Sequence, residues 1–166
     1  MIKWGIIGAG NIAHRFADSL ENIEGATLYA VANRTIEKAE AFKAEHPCEM
    51  AYGSYDALLA DETIDVVYIA LPHKYHLEWT KKAFDAKKAV LCEKPATLSL
   101  DEMKQISKCA IEKDLFFMEA MKSRFTPAYV EVRNLVEAGE IGEVIGVYTS
   151  LCRVFPVQDS GYYYEP

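Results

Sequence analysis

The run DVVYIA at residues 65–70 constrains the fold more than any other feature of the chain. It is apolar at consecutive positions rather than alternate ones, so a strand built from it must be covered on both faces. Such strands belong to parallel sheets whose crossover helices lie above and below. The rest of the chain supplies both kinds of element. Strand-like runs occupy residues 2–7, 26–33, 49–52, 65–70, 89–92 and 115–119, and helical patterns fill 12–22, 36–45, 55–60, 75–85 and 100–113. This alternation predicts an α/β fold, a doubly wound parallel sheet of Rossmann type with strand order 3-2-1-4-5-6. Ser99 with Glu102 makes a capping box, and Thr126-Pro127 puts a cap before a proline suited to the first helical position.

The pattern changes near residue 120. TPAYVEVRNLVEAGEIG reads as a helix closed by Gly139, and EVIGVYTSLCRVF (143–155) as a long strand with no helix after it. The expected organisation is a dinucleotide-binding domain over 1–120, with 121–166 forming the first helix and strand of an incomplete second α+β domain. In such a piece the lone strand and the tyrosines at 162–164 would be exposed and prone to association.

Composition excludes several classes. Half the chain is hydrophobic (51%), which suffices for a core, and a net charge of −7 argues against a nucleic-acid partner. No apolar stretch reaches the roughly 20 residues of a membrane helix, and no signal-peptide pattern precedes the first strand. Four irregularly spaced cysteines read as reduced thiols in a cytoplasmic protein. His73 and His76 have the spacing of a metal pair but lack a third ligand nearby, so no metal is expected.

The first βα turn carries the first functional signal. WGIIGAGNIA places Gly8-x-Gly10-x-x-Ala13 between strand and helix. Gly8 permits the tight turn, Gly10 lets the backbone approach a pyrophosphate, and Ala13 is small enough for close helix packing. The helix start at Asn11 and Ile12 offers N–H groups and a partial positive charge to the anion. The second strand ends in Asn33-Arg34-Thr35 with no carboxylate. Arg34 suits a 2′-phosphate, with Asn33 and Thr35 as neutral donors, and this favours NADP over NAD. A solvated arginine, or one stacked on adenine in an NAD enzyme, remains the alternative at this position.

The fifth strand ends on Glu93-Lys94-Pro95. In the expected order its carboxyl end lies two strand spacings, roughly 10 Å, from the glycine loop, where the nicotinamide half of a dinucleotide extends. Pro95 restricts the backbone of Lys94, and a lysine there can exchange a proton with a carbonyl or alcohol oxygen. A surface lysine at a strand end is the plain alternative.

The glycine loop, LPHKYH after the fourth strand, CEKP after the fifth and MEAMKSRFTP after the sixth together resemble the Gfo/Idh/MocA oxidoreductase family, most nearly its dihydrodiol and xylose dehydrogenase-like branch. The resemblance implies NAD(P)-linked hydride transfer on sugars, cyclitols or diols, and a second domain that commonly forms homodimers. It makes Lys94 the catalytic lysine and sets Glu93 near the nicotinamide ribose. Leu71-Pro72 and His76 would line the cofactor, although the family often has Asn where this chain has His73. For His76 a neutral hydrogen-bonding role or a simple helix cap are both open, and Arg124 either reaches cofactor or substrate or makes an ordinary ion pair. Family members also bring substrate contacts, often a histidine, from the second domain, and no histidine follows residue 76 here. Such a chain should bind cofactor better than it catalyses. The competing class is a non-catalytic NAD(P)-binding sensor or partner-binding module, which would keep the glycine loop without needing Lys94. A methyltransferase using S-adenosylmethionine would want an acidic residue where ANRT stands.

Overall fold

The computed structural model of the chain describes residues 1–152. These fall into two compact units divided after Lys122. The first unit runs β1 (Ile2–Ile7), α1 (Asn11–Leu20), β2 (Ala26–Ala32), α2 (Ile36–Glu45), β3 (Met50–Tyr52), α3 (Tyr55–Ala60), β4 (Val66–Ile69), α4 (His76–Asp85), β5 (Ala89–Cys92), α5 (Leu100–Lys113) and β6 (Phe117–Glu119). All pairings are parallel, and the sheet order is β3-β2-β1-β4-β5-β6. This is the doubly wound sheet expected from the alternation. Several strands are a residue or more shorter than their apolar runs, and α4 is preceded by a single 3-10 turn, His73–Tyr75.

Strand periodicity divides the core into two layers. Ile6, Val31 and Tyr68 point to one face, where Ala13 and Ala17 of α1 and Ala39 and Phe42 of α2 cover them. Ile7, Ala32, Val67, Ile69, Val90 and Cys92 point to the other, under Leu58 of α3, Phe84 of α4 and Ile106 of α5. Consecutive residues Val67, Tyr68 and Ile69 therefore enter opposite cores, which is why DVVYIA has no polar alternation. Burying each such side chain contributes roughly 1.5–3 kcal/mol. Ala13 is completely buried, so the third position of the glycine motif serves close packing, as its size implied.

Helix ends follow their sequence signals with some variation. The Ser99 hydroxyl accepts from the Glu102 N–H at 3.2 Å, while the Glu102 carboxylate reaches past the cap to the Leu98 N–H at 2.8 Å. A buried lysine was not foreseen. Lys88 is 3% exposed and donates to the Asp61 and Ile64 carbonyls at 2.7 and 2.9 Å, fastening the loop before β4. Burial pushes its ammonium below the usual lysine range.

The second unit, described by itself, contains α6 (Pro127–Glu137). Thr126 stands at its cap, but the hydroxyl donates backward to the Ser123 carbonyl instead of closing the helix. Gly139, at φ 75°, ends the helix: its N–H reaches Val136 and that of Glu140 reaches Leu135, the paired bonds of a Schellman motif. The long strand expected over 143–155 is not formed among the described residues. Residues 143–152 carry no strand, and 153–155, like the tyrosines at 162–164, lie outside the described residues. A strand is held by ladder bonds to a neighbour, and the described part of this unit has no second strand to supply them.

Replacing Lys88 with Met leaves two carbonyls without their donor. We expect a loss of about 2 kcal/mol, read as a lower urea midpoint with an unchanged slope.

Candidate functional site

Most of the candidate residues lie along one edge of the sheet. Gly8 follows β1, Asn33 and Arg34 follow β2, Leu71 follows β4, and Glu93 and Lys94 follow β5. All are carboxyl ends of parallel strands, and β1 and β4 are adjacent with chains departing to opposite sides. This is the topological switch point at which open α/β sheets bind ligands.

Gly8 is required by contact as well as by conformation. Its φ is +100°, and a Cβ would lie 2.6 Å from the Ala70 carbonyl oxygen and 3.0 Å from Cδ2 of Leu71. The Gly8 N–H donates to Ala32 across to β2, so this residue is clamped from both sides. Gly10 differs. Its backbone is extended (φ −96°, ψ 177°) and a Cβ there would meet nothing within 4 Å. The structure by itself gives no reason for glycine at 10, whereas a pyrophosphate approaching the backbone does. Asn11 and Ile12 open α1, and their N–H groups have no acceptor one turn back. An uncovered glycine followed by these donors fits a dinucleotide phosphate.

At the end of β2, Asn33 turns its side-chain oxygen to the Thr35 N–H at 3.0 Å, keeping its NH2 as a donor. Thr35 occupies the cap position of α2 without a side-chain cap bond. Arg34 is exposed, and its charge lies near the Tyr55 hydroxyl. Burial raises the titration of that phenol, and the arginine opposes the shift.

Around β5 the structure supplies partners that the sequence did not announce. The Glu93 carboxylate accepts from the Tyr68 hydroxyl at 2.7 Å and from the Lys94 N–H at 3.1 Å. Burial, with Glu93 as acceptor and neighbouring charge, pushes the Tyr68 phenol well above the usual range. The Lys94 side chain is exposed and forms no ion pair among the described residues. Glu93 and Lys94 therefore do not neutralise each other. The Lys94-Pro95 peptide bond is cis. Beyond it, the Ala96 N–H donates to Glu119 Oε1 at 2.8 Å, from the end of β6.

His76 differs from the expectation of a cofactor-lining side chain. It is completely buried in the first turn of α4, with Nδ1 2.8 Å from the Pro95 carbonyl and Nε2 2.7 Å from the Leu71 carbonyl. A neutral ring has one N–H to give to these two acceptors. The ring ties the segment after β4 to the segment after β5 and shapes the site from beneath. With both nitrogens turned to backbone carbonyls, His76 is also unsuited to pairing with His73 as a metal ligand. His73 is held below the usual histidine range, first by burial and then by its neighbours His76 and Lys94. Arg124 falls in the second unit, on the single turn Lys122–Phe125, where it is exposed.

Tyr68 and Glu119 were missed because both read as ordinary strand residues. Their partners are 25 and 23 positions distant, and only the parallel register brings them together. Two concavities of about 140 and 530 Å3 are lined by residues near the opposite edge, including Ala26, His46, Met1 and Lys3, and neither includes a candidate residue. All four cysteines are free. No helix among the described residues is long and apolar enough to cross a membrane.

A Rossmann sheet with a glycine loop at its switch point defines a dinucleotide-binding domain. The family model described as an oxidoreductase family with an NAD-binding Rossmann fold matches residues 2–121, and the chain belongs to this Gfo/Idh/MocA family. It is 40% identical over 145 residues to a trans-1,2-dihydrobenzene-1,2-diol dehydrogenase of Danio rerio, covering 86% of this chain and 43% of the relative. It is 38% identical over 162 residues to a D-xylose 1-dehydrogenase (NADP(+)) of Hypocrea jecorina, covering 90% of this chain and 41% of the relative. Among solved structures it is similar to scyllo-inositol dehydrogenase of Lactobacillus casei with bound NAD(H) and scyllo-inositol, at a TM-score of 0.80 and 28% identity, over 86% of this chain and 43% of that one. The chain thus spans less than half the length of each.

The two glycines give separable outcomes. Gly8→Ala must displace the Ala70 carbonyl and should lower thermal stability together with NAD(P)H binding. Gly10→Ala should leave the melting temperature within about 2 °C, a change under about 0.5 kcal/mol, while weakening NAD(P)H binding at least about tenfold. Thermal melts and a fluorescence titration on both variants check this.

Proposed function

We propose that this chain is the nucleotide-binding part of an NAD(P)-dependent oxidoreductase acting on CH–OH groups, with a sugar, cyclitol or diol as substrate. The observation that carries the reading is Lys94, which leaves the carboxyl end of β5 exposed and without an ion pair among the described residues. The neighbouring carboxylate is drawn instead to Tyr68. The names of the relatives, which act on a dihydrodiol, xylose and an inositol, support the substrate class.

Bound nicotinamide supplies the hydride acceptor or donor. The protein residues perform the remaining tasks. The loop from Gly8 to Ile12 holds the pyrophosphate, and Leu71, packed against Gly8, forms the wall where the dinucleotide crosses from β1 to β4. In the reduction direction Lys94 gives a proton to the carbonyl oxygen as that carbon receives hydride. In oxidation it takes the proton from the hydroxyl. Glu93, fixed by two hydrogen bonds, faces the ribose end. Residues 121–166 open the substrate-binding domain, and pairing of such domains forms a homodimer in the protein at the full length of its relatives.

The same reading favours NADP. No carboxylate stands at the end of β2 to repel a 2′-phosphate, and Arg34 is exposed there with a planar, charged fork of N–H donors suited to one. A fluorescence titration with NADPH beside NADH at one ionic strength tests this. We expect tighter NADPH binding, weakened about tenfold or more by Arg34→Ala, as for loss of a charge-assisted hydrogen bond. Equal or tighter NADH binding would overturn the preference and leave the dehydrogenase reading intact.

Lys94→Ala tests the chemistry in the protein at the full length of its relatives. Turnover should fall at least about a hundredfold with cofactor affinity retained. Unchanged turnover would overturn the acid–base role of Lys94, and absence of turnover in the parent protein would favour the non-catalytic NAD(P)-binding alternative.

A further inference from the structure

On the α1–α2 face His14 converges with the adjacent pair Glu45 and His46, some thirty positions away in sequence. His14 Nδ1 lies 2.9 Å from His46 Nε2 and 3.3 Å from Glu45 Oε2. The three ligand atoms all fall within 4.8 Å of one another. His46 turns its other nitrogen, Nδ1, to Asp18 Oδ1 at 3.5 Å. The arrangement is a carboxylate–histidine pair aimed at a second histidine and a second carboxylate.

We infer that His14, Glu45 and His46 form a binding site for a divalent transition-metal ion of the zinc class, clipping the first turns of α1 to the end of α2. Bonds of about 2.0–2.1 Å to a tetrahedral zinc separate adjacent ligand atoms by about 3.3 Å. The His14–Glu45 edge already has that length, and the His14–His46 edge needs to open by about 0.4 Å on the same geometry. Asp18 orients His46 from the outer shell, the role carboxylates commonly play behind metal-bound imidazoles. Both imidazoles rest on Phe42, with ring centroids at 4.5 and 4.8 Å, and Phe42 is only 1% exposed. The ligand rings are thus held by the core before any ion arrives. Two carboxylates and two imidazoles, with His14 a third exposed and Glu45 two-thirds exposed, give an ion both compensating charge and a path in. The fourth position is left to water. None of these residues belongs to the dinucleotide edge, so the inference stands apart from the proposed activity.

The test adds Zn2+ alone to the 166-residue chain by equilibrium dialysis, and Co2+ for its visible spectrum. We expect one Zn2+ per chain, bound in the micromolar range or tighter, and Co2+ bands of a four-coordinate nitrogen–oxygen site. His14→Ala and Glu45→Gln alter side chains open to solvent and should each weaken Zn2+ at least about tenfold. Asp18→Asn should weaken it by about 10–100-fold. Cys48→Ser, two residues from His46, should leave binding unchanged. Absence of saturable binding in the micromolar range would overturn the inference. So would a His14→Ala chain that binds as tightly as the parent, or loss of the site in Cys48→Ser.

Discussion

The close approach of the Gly8 backbone to the Ala70 carbonyl is the constraint on which the rest of the site depends. A side chain at residue 8 would put its first carbon 2.6 Å from that oxygen, a separation no packed structure tolerates. With hydrogen there instead, β1 and β4 lie side by side while their chains leave in opposite directions. The crevice between them follows, and with it the line of strand ends on which the cofactor candidates stand. Gly8 is thus explained by the fold alone, whereas nothing in the fold itself requires glycine at 10, where open space stands above the backbone.

A second level of organisation fixes the segment carrying Lys94. Three contacts from three elements hold it: Tyr68 of β4 on the Glu93 carboxylate, His76 of α4 under the Pro95 carbonyl, and Glu119 of β6 on the Ala96 N–H. Each involves a buried or half-buried group, where an unmade hydrogen bond costs about 1–3 kcal/mol. The lysine itself is exposed, but its backbone is set between anchored neighbours. The proposed proton transfer calls for a group held close to the reacting atoms, and an anchored backbone restricts where this side chain can reach.

The fold was legible because its signals are local. Consecutive apolar residues at 66–69, small residues at the first βα turn, and the Ser99–Glu102 pair are each readable within a few positions. The Gly139 stop was equally legible, and the structure returns it as a Schellman motif. Of the strand expected over 143–155, the described residues 143–152 carry none, for the converse reason. Apolar β-branched residues state a preference, but a ladder needs a partner, and none stands among the described residues of that unit. His76 was noticed for its place at a helix start, yet its two carbonyl partners, five and nineteen positions away, could not be assigned from spacing.

By itself the sequence determined the sheet, the strand order, the phosphate turn and the family, because hydrophobic period, glycine placement and short motifs are properties of neighbouring residues. Only the tertiary structure decided that Glu93 belongs to Tyr68, that Glu119 supports the residue after Pro95, that Lys88 is buried, and that His14 meets His46. These pairs are separated by 25, 23, 24 and 32 positions for the bonds concerned. Their contacts arise from parallel register and helix packing, which place distant residues together without leaving a pattern along the chain.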